Sequence, residues 1–235
     1  MDLSIIIPAF KSKEILFQQL PILLKWIPLW KYATEVIVVV DGEDVNDYKE
    51  KLNHPSLIIT GYEVNKGKGF AIKHGFTLST ASVIIFTDAD IPFSEKSMLE
   101  MANRLHQNTK KALWVIGDRT LPGSVYFDHI PWIRKAGSNF FLLIIKLTLG
   151  QGFEDTQCGL KGFTRVAGDM VLVKSAINRF AFDFECLYIA NYLKIKVIKI
   201  PVVLRNQSAS TVRIYRDGVK LLKDVLKVIF FYKYD

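Results

Sequence analysis

Short apolar runs alternate with stretches of helical spacing along the first half of the chain. Residues 3–8 (LSIIIP) are rich in β-branched side chains and closed by proline, which predicts a strand. Residues 12–30 carry apolar positions at helical intervals, interrupted by Pro21 and Pro28. Residues 35–40 (EVIVVV) are apolar on both faces, the pattern of a parallel sheet covered by helices on either side. A weaker strand is expected at 57–62, a helix at 68–79 and a further strand at 83–87 (VIIFT). This succession of β-α units predicts an α/β fold, an open and mostly parallel sheet flanked by helices. The second half is less regular. Strands are expected at 114–117 and at 197–203, the latter containing Pro201 and therefore near an edge. Helices are expected at 134–149, 171–176 and 185–193. No repeat, low-complexity tract or Gly/Ser linker interrupts the chain, so one domain over residues 1–216 is expected, followed by an amphipathic helix in 217–235.

Composition narrows the class. Half of the 235 residues are hydrophobic and 23% are charged, enough for a full core. Two cysteines, Cys158 and Cys186, exclude a disulfide scaffold and a cysteine-built zinc site. The four histidines have no metal-ligand spacing. The net charge of +8 favours anionic partners: nucleic acid, phosphorylated ligands or an acidic membrane surface. No nucleic-acid recognition motif accompanies that charge, and the basic residues are spread along the chain. The opening MDLSIIIPAF has no basic start followed by a long apolar run, and no uninterrupted apolar stretch approaches the roughly 20 residues of a spanning helix. A reduced protein on the cytoplasmic side of a membrane is the expectation.

In an open α/β sheet, ligands bind beyond the carboxyl ends of the strands. Three such ends carry informative residues. Asp88-Ala89-Asp90 follows a buried strand, and two carboxylates one residue apart suit Mg²⁺ or Mn²⁺ completed by substrate phosphates and water. The same triplet also reads as a turn capping the next helix. Asn65-Lys66-Gly67-Lys68-Gly69 precedes a helix, where glycines, free amides and the helix dipole favour an anion; a glycine-rich turn with solvated lysines is the other reading. Asp41 ends a strand, placed to accept from a base or ribose or to make an acidic turn.

These pieces occur in one order: SIIIPAF, EVIVVVDG, NKGKGFAIKHG, FTDAD, GDR, DTQCGLKGFTR and FAFDFE. In that order the chain resembles family 2 glycosyltransferases of the GT-A fold, within the branch that makes polyprenyl-phosphate sugars. The glucosyl branch is closest and the mannosyl branch next. The resemblance implies that Pro8, Ala9, Asp41 and Lys68 lie where the family holds the nucleotide, with Asp88. It places Asp88 and Asp90 at the family's Asp-x-Asp, which holds a divalent metal, and Arg119 near the phosphates. Asp155 and Gln157 would line the sugar pocket, and Asp183 and Glu185 match a late acidic pair. Asp90, Arg119, Asp155, Asp183 and Glu185 are thus the candidate catalytic residues. Residues 208–211 (SAST) stand where the family often shows Gly-Ser-Lys, with Arg213 beyond.

The implied reaction moves a hexose, glucose favoured, from a nucleoside-diphosphate sugar (UDP-glucose, or GDP-mannose) to dolichyl or polyprenyl phosphate, with inversion. A lipid phosphate is mostly dianionic at neutral pH, so cationic residues matter more than a general base. Arg119, Arg134 and Arg213 are the candidates for acceptor phosphate, with Arg205 and Arg216 as further cations; each read alone is an ordinary surface charge. Residues 218–232 place Lys220, Lys223 and Lys227 beside a broad apolar arc, which fits either an interfacial helix or one packed on the domain. A saccharide acceptor, or a non-catalytic nucleotide- or membrane-binding module, are the competing readings.

Overall fold

The computed structural model describes residues 1–125, 155–179 and 181–205, with positions 148, 224, 225 and 227–229. The expected helices at 134–149 and 218–232, the boundary at 216, and Arg134, Arg213 and Arg216 lie outside the described residues or are described only in part.

Seven strands form one sheet: β1 (Leu3–Ala9), β2 (Thr34–Asp41), β3 (Leu57–Tyr62), β4 (Val83–Phe86), β5 (Leu113–Asp118), β6 (Lys161–Thr164) and β7 (Lys196–Pro201). Their order across the sheet is β3-β2-β1-β4-β6-β5-β7. Neighbours pair in parallel, except β6, which runs antiparallel to both β4 and β5. β7 lies at the edge, where Pro201 costs no ladder bond.

The two faces of the sheet are both covered, as the unbroken apolar strands require. Alternate residues of β2 divide between them: Val36, Val38 and Val40 on one side, Ile37 and Val39 on the other. The first side packs against α1 (Lys13–Trp26) and α4 (Glu95–His106) through Leu16, Leu20, Leu23, Met98, Met101 and Leu105. The second packs against α3 (Lys68–Leu78), α5 (Arg165–Leu172) and α6 (Phe182–Tyr192) through Ile72, Phe76, Val171, Phe182 and Leu187. Val225 and Val228 are buried against this second side. A single turn, α2 (Asn46–Lys49), joins β2 to β3.

Several elements differ from the sequence expectation. Pro21 does not end α1: it stands on an exposed position inside the helix, and the chain turns into a short 3₁₀ segment, Ile27–Leu29, only around Pro28. α4 was not anticipated, although Met98, Met101, Ala102 and Leu105 carry its apolar stripe and the Ser94 hydroxyl caps it, accepting from Ser97 N at 3.3 Å. The helix expected at 171–176 begins earlier because Thr164 is its N-cap, accepting from Ala167 N; it stops when Lys174 and Ser175 bond back to Val171 O. β6 was missed. Its sequence, KGFT, opens with a lysine and a glycine that break the strand pattern, yet all four residues are buried.

Candidate active site

The strand order reverses at β1: β2 and β3 extend to one side of it, β4 to the other. The crevice beyond β1 and β4 is the switch point where an open α/β sheet receives its ligand. Asp88-Ala89-Asp90 leaves β4 there. The Asp88 side chain is 43% exposed and Asp90 is partly exposed, while Ala89 is buried. Ile91 N bonds to Asp88 O at 2.9 Å, and Ile91 takes a φ of 43°, so the segment turns sharply after the second aspartate.

A chain of alternating charges runs inward from Asp88. Lys68 Nζ, at the start of α3, lies 2.9 Å from Asp88 Oδ1 and 3.4 Å from Asp183 Oδ2. Lys161 Nζ, at the start of β6, meets Asp183 Oδ1 at 2.8 Å and donates to Cys158 O at 2.5 Å. Lys161 is wholly buried, which a lysine tolerates only when paired and hydrogen-bonded. Both ammonium groups lie against the Phe86 ring, at 5.8 and 5.9 Å from its centroid. Burial pushes the Asp183 carboxyl up, but Lys161 and Lys68 hold it below its ordinary value. Burial alone would lower the Lys68 pKa; Asp183 and Asp88 hold it above its ordinary value. Asp183 and Lys68 are therefore both charged at neutral pH.

The segment from Asp155 to Leu160 closes the other side. Arg119, just past β5, forms a fork with Asp155: Nε to Oδ2 and Nη2 to Oδ1, each 2.7 Å, with Arg119 N to Oδ2 at 2.9 Å. Burial raises the Asp155 pKa, but the Arg119 guanidinium brings it below its ordinary value. Arg119 remains 31% exposed, a cation of fixed orientation at the rim. Gln157 is exposed and Thr156 is buried, its hydroxyl without a partner among the described residues. Gly159 passes directly beside Asp88: a Cβ there would sit 2.0 Å from Asp88 Oδ2. The Cys158 thiol is pushed up to about 12 by burial and by Asp155, so it is no nucleophile at neutral pH.

Other predicted residues make separate contacts. Asp41 is buried, and its carboxylate holds the glycine-rich loop: Oδ1 accepts from Lys66 N at 2.7 Å, and Oδ2 from Gly67 N at 2.9 Å and Asn65 Nδ2 at 2.8 Å. The amides of Gly69 and Phe70 bond to Asn178 O. The expected cradle of free amides at this helix start is therefore corrected: four of the amides are satisfied within the protein, and the loop presents Lys68 instead. Glu185 organises the opposing loop, its oxygens accepting from Ser175 Oγ, Ala176 N and Ile177 N at 2.6–2.9 Å. Two positions along α6 from Asp183, it points elsewhere on the helix. Ala9 is fully enclosed in the core, leaving Pro8 partly exposed and Phe10 about half exposed at the end of β1. Arg205 bonds to Gln19 Oε1 at 2.7 Å and to Ile91 O, and lies over Trp26. Lys161 was missed in the sequence. Its signal was a lysine within an otherwise apolar LKGF run, with a matching acid on a later apolar helix.

Among the described residues no group of three His, Cys, Asp or Glu side chains is placed to enclose a metal. The partly exposed Asp88 and Asp90 fit a different arrangement, a hard divalent cation held by carboxylate and completed by phosphate oxygens and water.

The family model described as Glycosyl transferase family 2 matches residues 4–167. A Trichomonas vaginalis protein named dolichyl-phosphate beta-glucosyltransferase is 30% identical over 98% of this chain and 73% of its own length. The human protein of that name is 27% identical over 96% and 74%. Among solved structures, glucosyl-3-phosphoglycerate synthase from Mycobacterium tuberculosis in complex with UDP superposes with a TM-score of 0.70 at 12% identity, covering 97% of this chain and 79% of that one. The same enzyme with Mn²⁺, UDP and glucosyl-3-phosphoglycerate gives 0.68 over the same shares. The sheet is the GT-A fold.

Proposed function

The chain belongs to glycosyl transferase family 2, and from that premise we propose that it moves glucose from UDP-glucose to dolichyl phosphate with inversion at the anomeric carbon. One observation carries the reading: segments far apart in sequence, FTDAD, NKGKG, DTQCGLKG and FAFDFE, meet in the single charge chain Lys161–Asp183–Lys68–Asp88. The relatives' names supply the sugar and the lipid; the charge chain supplies a place for the diphosphate.

Asp90, with Asp88, would hold Mg²⁺ or Mn²⁺, which when bound offsets the negative charge that grows on the leaving diphosphate. Lys68 adds a positive charge beside the same phosphates, over the Phe86 ring. Pro8 borders the nucleotide. Arg119, oriented by Asp155, faces the acceptor phosphate across the sugar, and two anionic substrates thereby meet between cationic groups. The acceptor oxygen attacks the anomeric carbon as the bond to the diphosphate breaks on the opposite face. A phosphate dianion needs no proton removed, which agrees with the engagement of Asp155, Asp183 and Glu185 by neighbours. No helix among the described residues is long and apolar enough to cross a membrane; the enzyme would work peripherally, on the cytoplasmic face, where a lipid acceptor presents its phosphate.

The test is transfer from radiolabelled UDP-glucose and GDP-mannose to dolichyl phosphate in liposomes, with and without chelator. Glucolipid formed from UDP-glucose and abolished by chelator is the expected result. Transfer from GDP-mannose instead, transfer to a free saccharide instead, or donor left intact in every mixture would each overturn it.

A further inference from the structure

Lys68 has two carboxylate partners within reach of its ammonium group. Asp88 Oδ1, at 2.9 Å, belongs to the exposed aspartate. Asp183 Oδ2, at 3.4 Å, belongs to a buried one that Lys161 already grips through its other oxygen at 2.8 Å. An ammonium within 3 Å of a carboxylate oxygen stands where a divalent cation would bind that oxygen, and two cations cannot crowd one oxygen without strong repulsion.

We propose that Lys68 is a built-in placeholder cation: it caps Asp88 in the metal-free enzyme and shifts onto Asp183 when Mg²⁺ or Mn²⁺ arrives. The inference rests on the reading of Asp88 and Asp90 as cation ligands. Three features of the fold suit such an exchange. The receiving oxygen is already within reach, so the ammonium moves by a side-chain adjustment. The backbone beneath it is fixed, with Gly67 N bonded to Asp41 and Gly69 N to Asn178 O. Lys161 sets the balance: by neutralising one side of Asp183, it stops that residue from drawing Lys68 off Asp88 too early. Without a placeholder, Asp88 and Asp90 would repel each other and the incoming diphosphate until a metal was captured. With it, the carboxylate is released only to a partner of higher charge.

The placeholder predicts opposite signs for two substitutions. Binding of Mn²⁺ alone to the full chain, without nucleotide, is followed by the electron paramagnetic resonance of the free ion. Lys68→Met removes the competitor, and Mn²⁺ should bind about tenfold more tightly than to wild type. Asp183→Asn removes the receiving charge, leaves Lys68 on Asp88, and should weaken Mn²⁺ binding severalfold. A residue that merely supported the site would weaken binding in both cases. Circular dichroism checks that each variant is folded; if Asp183→Asn is not, Lys68→Met and Lys68→Gln decide the matter, both tighter in support, either one unchanged or weaker against. Unchanged Mn²⁺ affinity in Lys68→Met, with wild-type transfer still sensitive to chelator, overturns the placeholder alone. A wild-type chain that binds no Mn²⁺ and transfers sugar in the presence of chelator overturns the cation reading, and the placeholder with it.

Discussion

Asp155 and Asp183 are held ionised by cations, and Glu185 accepts from a hydroxyl and two amides. An aspartate paired in that way is a poor proton acceptor, because taking a proton would break the ion pair that stabilises its charge. The pH–rate profile follows from the sign of these shifts. Both aspartates titrate below the usual carboxylate range, so neither contributes a limb between pH 5 and 8. The acceptor phosphate, with a second ionisation near about 6, supplies the one expected there. Measured kcat/KM for the acceptor should therefore rise through that value and then level off; a limb that persists with an acceptor of different phosphate pKa would point to a protein base instead. At this scale the sequence showed the aspartates but not their employment. The resemblance located Asp88, Asp155 and Asp183, whereas Lys161, which fixes the charge on Asp183, has no local pattern to reveal it. It becomes visible only when β6 and α6 are brought together.

The central parallel strands β1, β2, β4 and β5 were legible because their runs are buried on both faces, a pattern that helices on the two sides of a sheet impose. β6 was not, since a buried lysine and a glycine replace that pattern. α4 is written in the sequence as a plain apolar stripe capped by Ser94. Glycines show how elements are set against each other. A Cβ on Gly69 would fall 2.7 Å from atoms of Phe182, forcing α3 from α6, whereas one on Gly159 would meet only the Asp88 carboxylate within 3 Å. The two substitutions should separate. Gly69→Ala is expected to destabilise by about 1–3 kcal/mol, the usual cost of overpacking. Gly159→Ala is expected to lower the unfolding free energy in urea by less than Gly69→Ala does and to reduce transfer by about 100-fold, because it displaces Asp88. Urea denaturation and initial rates on both variants distinguish the two outcomes.

The site is assembled by the whole molecule, from chain positions 68 to 183, and its stability responds to pH as a unit. Asp183 has a depressed pKa in the folded chain, so its ion pairs stabilise fully above the ordinary carboxylate value of about 4 and fade as pH falls through the lower folded value. Lys68 is shifted upward, so its contribution is complete below the ordinary lysine value of about 10.4 and fades only as pH rises beyond that. The difference in Tm between wild type and Asp183→Asn should accordingly be constant from pH 5 to 9 and shrink below about pH 4. A difference that changed sign or size near neutrality would contradict the ion-pair account.

The reversed direction of β6 has a consequence for how such an enzyme diversifies. β5 leaves the sheet at the ligand-binding rim, and β6 enters from that same rim because it runs the other way. The connection between them, residues 119–160, thus begins and ends beside the crevice. A change of length within that connection leaves the register of every strand unaltered, whereas Arg119 and Asp155 at its two ends belong to the site, so loop length and sheet architecture are free to evolve separately.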